Sequence, residues 1–184
     1  ESLTAWELAQ RAHAEYYRYT AEAVRATIEL ATRAIEADPE LVFAHTLLVR
    51  ARVSEAMAGW SADREGSLRA ARAAAERAVE IDSRNDAAFS ALGFALSFSG
   101  RFRDAIEMLE RAKALNPNNP ITLLHLAVTR LNPPVRDAAQ ALSEAREALR
   151  LSPTDPFAWT FHLVIGLALL LLGDHDAARS SLDT

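Results

Sequence analysis

The side chains whose types could do chemistry in this chain are five histidines, one Asp-His-Asp trio and one serine that follows Gly-Trp. A metal held on a helix needs ligands about one turn apart, so that they project from one face. His13, His45, His125, His162 and His175 never stand three or four residues from one another, and no His-Glu-x-x-His occurs. Asp174-His175-Asp176 is dense enough, but it follows Gly173, where such residues serve as an N-cap and first-turn acids. Ser61, after Gly59-Trp60, would need a glycine at 63 to form a nucleophile elbow, and position 63 is Asp. It reads as the N-cap of a helix or part of a short insertion helix. There is no phosphate-cradling glycine pattern, and the absence of cysteine removes disulfides, thiolate nucleophiles and Cys-ligated metals while leaving the redox compartment open. The expectation is a non-enzyme with no catalytic residue, no metal and no cofactor.

Three further groups have structural readings. Tyr16, Tyr17 and Tyr19, with Arg18 between them, could form a contact surface or cap an open core end with their hydroxyls in water. Trp6, Trp60 and Trp159 read as packing. Glu107, Glu110, Arg111, Glu144, Arg146, Glu147 and Arg150 are spaced as on a solvated helix face with i,i+3 and i,i+4 pairs.

The elements that would position these residues follow from composition and period. The 184 residues carry 20 Lys plus Arg against 25 Asp plus Glu, a net charge of −5, so no basic footprint for nucleic acid or anionic lipid is present. Half the residues are hydrophobic but only 7% are aromatic, with 6 Gly and 7 Pro. That balance predicts Ala/Leu-rich helices and an all-α fold.

Four helix ends repeat: Ala34 to Pro39, Ala78 to Ser83, Ala112 to Pro117 and Ala148 to Pro153, at spacings of 44, 34 and 36 residues. Between the second and third, Phe89, Leu92, Gly93 and Leu96 make an amphipathic stripe, which Gly100-Arg101-Phe102 ends. Ala105, Leu109 and Ala112 make a second stripe that stops at Asn116-Pro117. Small residues at Gly93 and Ala105 would let the two helices approach closely. In the next unit Asn132-Pro133-Pro134 must end the first helix, and Ala141, Ala145 and Ala148 supply the second stripe. Ile165, Gly166 and Leu169 repeat the pattern, three residues later than the period predicts. Upstream, Thr4 with Glu7 predicts a capping box and Thr20 an N-cap, while residues 59 to 65 read as an insertion before Gly66 and Leu68.

The 34-residue interval and this helix pairing resemble the tetratricopeptide (TPR) repeat. The resemblance implies a right-handed α-solenoid of about five antiparallel helix pairs, the last incomplete, with units near 3–39, 40–83, 84–119, 120–155 and 156–184. Ala5-Trp6-Glu7-Leu8, Gly59-Trp60-Ser61-Ala62-Asp63 and the run from Leu149 to Phe157 are also similar to the TPR region that accompanies class III adenylate cyclase or winged-helix domains in bacterial regulators. That similarity implies a regulatory or assembly module whose effector domain lies elsewhere.

The longest apolar run, Leu163 to Leu172, is half the length a membrane span needs, so no membrane insertion is expected. No signal peptide is visible, and the expected location is the cytoplasm. The start at Glu1 and the helical pattern running into Thr184 read as a piece of a longer protein.

In such an array the first helix of each pair lines a concave groove. Beside the core stripe on those helices lie Ser90, Phe94, Ser97 and Phe98, then Ile121, Leu124, Val128 and Leu131, then Leu163, Leu167, Leu170 and Leu171. The TPR proteins that clamp a peptide carboxylate place Lys, Arg and Asn there, a character only Arg50 and Asn132 approach. The expected partner is an apolar helix or segment of a protein or peptide, of the parent chain, or of a second copy in a homo-oligomer; the other role open to the chain is a module that dimerises an effector.

Overall fold

The computed structural model describes residues 4–183, so the outermost expected unit bounds, Leu3 and Thr184, lie outside them. Among the described residues there are ten α-helices and no strand: α1 (Ala5–Tyr16), α2 (Ala21–Ala37), α3 (Val42–Met57), α4 (Arg64–Ile81), α5 (Asp86–Phe98), α6 (Phe102–Leu115), α7 (Pro120–Arg130), α8 (Ala138–Leu151), α9 (Ala158–Leu172) and α10 (His175–Leu182). They form the five helix pairs expected of an α-solenoid. None of them is long and apolar enough to cross a membrane.

The recurring helix ends have one local cause. Asp38, Asp82 and Asn116 sit at the C-caps of α2, α4 and α6 in extended conformation, with φ of −145°, −140° and −144°. A following proline pushes residues 38 and 116 out of the helical region. Position 82 reaches the same conformation before a serine, because each of these side chains also accepts a hydrogen bond from the backbone N–H two residues on, at Glu40, Arg84 and Asn118. Three residues after Asp82 and Asn116, Asn85 and Asn119 then cap α5 and α7. The Thr4–Glu7 capping box and the Thr20 cap form as expected.

The insertion is used differently from its sequence reading. Its extra residues lengthen α3 and α4 to 16 and 18 residues, leaving only positions 58–63 as linker. Asp63, not Ser61, caps α4 by accepting from the Gly66 N–H at 2.8 Å. The Ser61 hydroxyl instead accepts from the Asp63 N–H and pairs with Ser67 at 2.8 Å, holding the linker against the helix it precedes.

Within a pair, close approach depends on missing side-chain atoms. A Cβ at Gly93 would stand 2.8 Å from Leu109 Cδ2 and 3.0 Å from the Ala105 carbonyl, so α5 and α6 meet there at backbone distance. Fully buried Leu109, Ala105 and Ala112 fill the contact, and burying a leucine contributes about 1.5–3 kcal/mol. Between pairs, the odd-numbered helices stack in order, α1 on α3, α3 on α5, α5 on α7 and α7 on α9, whereas among the described residues no two even-numbered helices bring their backbones within 8 Å. The odd helices therefore line the inner side.

One patch of charge that the sequence reads as solvated is a buried cluster. Glu144 is only 3% exposed, and it accepts from Arg130 Nε at 3.0 Å, Lys113 Nζ at 3.2 Å and Gln140 Nε2 at 3.3 Å. Arg130 also pairs with Glu110. The reason is that α8 turns Glu144 inward between α6 and α7, where three donors converge on a single carboxylate.

Candidate functional site

Periodicity places one row of side chains from each odd helix on the inner side, and curvature then decides how far the rows stand apart. Arg50, Ser54 and Met57 from α3 face Phe94 and Phe98 from α5, then Ile121, Leu124, Val128 and Leu131 at α7, then Thr160, Leu163, Val164 and Leu167 from α9. They enclose a cavity of about 420 Å³. Of the groove residues expected from sequence, Arg50, Phe94, Phe98, Ile121, Leu124, Val128, Leu131, Leu163 and Leu167 lie on its wall. Asn132 lies there too, with one N–H of its amide donated to the Val128 carbonyl at 2.8 Å.

Ser90 and Ser97 do not face the cavity. Both are buried in the seam between α5 and α7, where the Ser90 hydroxyl meets His125 Nδ1 at 3.1 Å and the Ser97 hydroxyl accepts from Thr129 at 3.0 Å. Short polar side chains hydrogen-bond one helix to the next there. Leu170 and Leu171 are also not on the wall; they are 42% and 49% exposed near the end of α9.

The array closes on itself through aromatic rings. Phe157, just before α9, stacks on Tyr17 at 5.3 Å and meets Tyr16 and Tyr19 edge-on at 5.6 and 5.4 Å. Tyr19 also touches Trp60 and Trp159. Rings on the α1–α2 turn thus bridge to the start of the last helix pair across the mouth of the cavity. Tyr19 has φ +47°, a left-handed conformation that costs a non-glycine residue about 1–2 kcal/mol and that the ring contacts must hold. The tyrosines do not cap an open core end with hydroxyls in water: Tyr16 is buried, and its hydroxyl meets Ser54 Oγ at 3.0 Å, because α3 brings Ser54 beneath it. Burial holds the Tyr19 hydroxyl above its usual phenolic pKa, with Tyr16 adding to the shift.

Among the described residues Arg50 is the one charged side chain on the cavity wall. Its guanidinium lies 4.4 Å above the Tyr16 ring and 6.0 Å from that of Tyr17. Across the cavity His125 stacks on Phe94 with centroids 4.1 Å apart and planes 12° from parallel. Burial first, and the Arg50 charge second, depress its pKa to about 3, so the imidazole is neutral. His13 is lowered by the same two causes in the same order. His45 Nε2 meets the Pro39 carbonyl at 3.0 Å. Among the described residues no three His, Cys, Asp or Glu side chains gather as metal ligands do.

Tyr16, Tyr19, Ser54, Met57, His125, Phe157 and Trp159 were not singled out as cavity residues by sequence. Ser54 carried a signal, since the 44-residue offset that maps Phe94 onto Arg50 maps Phe98 onto Ser54. The rings at 157 and 159 carried none, because their partners are about 140 residues away.

The tetratricopeptide repeat family matches residues 64–130. No curated protein matches the chain. Among solved structures, TTC0263, a thermophilic TPR protein of Thermus thermophilus, is 20% identical with a TM-score of 0.69 over 96% of this chain and 81% of that one. PilF of Pseudomonas aeruginosa is 21% identical, with a TM-score of 0.65 over 97% and 73%. YrrB, a TPR protein with an unusual peptide-binding site, is 19% identical, with a TM-score of 0.53 over 88% and 76%. The family match across α4 to α7, with the likeness of the whole fold to solved TPR proteins, supports a tetratricopeptide repeat array.

Proposed function

We propose that the chain is a non-catalytic protein-interaction scaffold, the regulatory or sensory module of a bacterial signalling protein that carries an adenylate cyclase or winged-helix effector. TPR proteins are generally interaction scaffolds, and one observation carries the reading to this chain. An apolar strip starts on the cavity wall at Phe94 and Leu124 and runs outward along α9 through Leu163, Leu167, Leu170 and Leu171, with no acid on the wall among the described residues. Exposed apolar surface of this continuity marks a contact site. A partner's apolar segment, from another protein or from the parent chain, docks along its outer part. Changing Leu163, Leu170 and Leu171 together to Asp should abolish partner capture and dye binding; unchanged capture moves the working surface to the convex side.

A second reading is supported by the leucines of the last helix pair. Leu163, Leu167, Leu170, Leu171, Leu172 and Leu182 are each more than 40% exposed, a face that a second copy could cover and so pair two effector domains. Light scattering at micromolar concentration separates the two: a scaffold stays monomeric and a dimerising module does not.

A further inference from the structure

We propose that this cavity is a binding site for a small amphiphilic monocarboxylate, a molecule with one anionic head and an apolar body, of the class of medium-chain fatty acids. This goes beyond the scaffold reading, since the protein partner lies along the outer strip of α9 and the acid fills the space behind it.

Size is the first argument. About 420 Å³ falls within the range of small-molecule sites. A helix, roughly 10–12 Å across with its side chains, would need the mouth that Phe157 bridges against the tyrosines. Hydrogen bonding is the second. A peptide backbone brings a donor and an acceptor with every residue, and each left unpaired inside an apolar wall costs free energy. Few polar side chains line the wall, and two of them already have partners: one Asn132 N–H is donated to the Val128 carbonyl, and the Tyr16 hydroxyl meets Ser54. An alkyl or aryl body makes no such demand of Phe94, Leu124, Val128 and Leu167.

Charge is the third. Arg50 faces the cavity with no ion pair or hydrogen bond among the described residues, and no acid lies on the wall to neutralise it. The guanidinium lies 4.4 Å over the Tyr16 ring, and a cation satisfied only by a ring face keeps N–H donors for a two-oxygen acceptor. One cation matches one carboxylate. The low pKa of His125 fits this, since the imidazole adds no second positive charge at neutral pH.

The test is calorimetric titration of the whole chain with decanoate, decanol and decyltrimethylammonium, each below its micelle concentration. Decanoate should bind one to one and at least tenfold more tightly than decanol, and the cationic amphiphile more weakly than either. Arg50→Met should lower decanoate affinity at least tenfold, bring it level with decanol and leave partner capture intact, while Arg50→Lys restores part of the difference. Should Arg50→Met fail to fold, the head-group ranking on the unmodified chain decides alone. Equal binding of decanoate and decanol, binding that ignores Arg50→Met, or no binding overturns the proposal. So does dimerisation, or capture of an apolar peptide, that fills the cavity and excludes decanoate. Loss of partner capture in the triple Asp variant concerns the scaffold reading and is scored separately.

Discussion

Arg130 and Arg50 both project from inner helices of the array, and the chain treats them in opposite ways. Arg130, whose side chain is 13% exposed, is held by Glu110 and by Glu144, which also takes Lys113 and Gln140. Each charge there has its counter-charge within the fold. Arg50 has aromatic faces and no carboxylate. A buried carboxylate is tolerable only when several donors reach it, so the cluster at α6, α7 and α8 is a closed device that fixes three helices relative to one another. A cation beside tyrosine rings is weakly satisfied and keeps its N–H edge available. The same residue type therefore serves assembly in one place and leaves an open valency in the other.

The largest expected effect comes from breaking the closed region. Glu144→Ala leaves Arg130 and Lys113 without their shared partner, and removing one member of a buried ion cluster costs about 3–5 kcal/mol. At about 2–4 °C per kcal/mol for a chain of this size, the Tm should fall by roughly 10 °C. A loss below about 1 kcal/mol in a urea melt would show that the cluster is merely solvated surface, which abolishes the contrast with Arg50.

Next comes pH. His125, at about 3 when folded, titrates near 6.5 when unfolded, so the unfolded chain binds more protons between those values. Its contribution is fully present above pH 6.5 and is lost as pH falls toward 3. Between pH 7 and pH 5 this amounts to about 2 kcal/mol, read as a shift of the urea midpoint. His125→Gln should flatten most of that slope. Because Arg50 contributes to the low pKa, Arg50→Met should flatten the slope further only below pH 5, where the folded imidazole begins to titrate, which no change at Arg130 should do.

A smaller effect is expected from opening the mouth. Phe157→Ala removes three ring contacts with Tyr16, Tyr17 and Tyr19 and should cost about 1–2 kcal/mol. Small-angle scattering should show a larger radius of gyration, with the Glu144 cluster unaffected. An unchanged radius would mean that helix stacking, and not the rings, sets the curvature.

How much of this was legible in the sequence depends on the distance over which each feature is decided. The helix ends were legible because Asp38-Pro39 and Asn116-Pro117 act within a few residues, and Gly93 because its spacing from Phe89 and Leu96 put it on the stripe of the close contact. Ser90 and Ser97 were misplaced since a stripe shows that residues share a face without showing whether that face meets the cavity or the next helix. Glu144 was missed for a related reason. Its i,i+3 neighbours look like those of any solvated glutamate, and the donors that bury it come from two other helices. The closure by Phe157 depends on the summed curvature of four successive helix pairs, which no local pattern encodes.

The smallest expected change in stability is the most informative about the comparison. Arg50→Met removes a cation–π contact that contributes about 0.5–2 kcal/mol, and it also removes the cost of holding a charge in an apolar cavity. The two terms oppose one another, and methionine is flexible enough to fill the space beside Tyr16. The Tm should therefore stay within about 3 °C of the unmodified chain. An arginine that assembles the fold cannot be replaced so cheaply, which Glu144→Ala tests from the other side of its ion pair. A fall comparable to that of Glu144→Ala would place Arg50 among the assembling charges; an unchanged Tm with lost decanoate binding places it in the site.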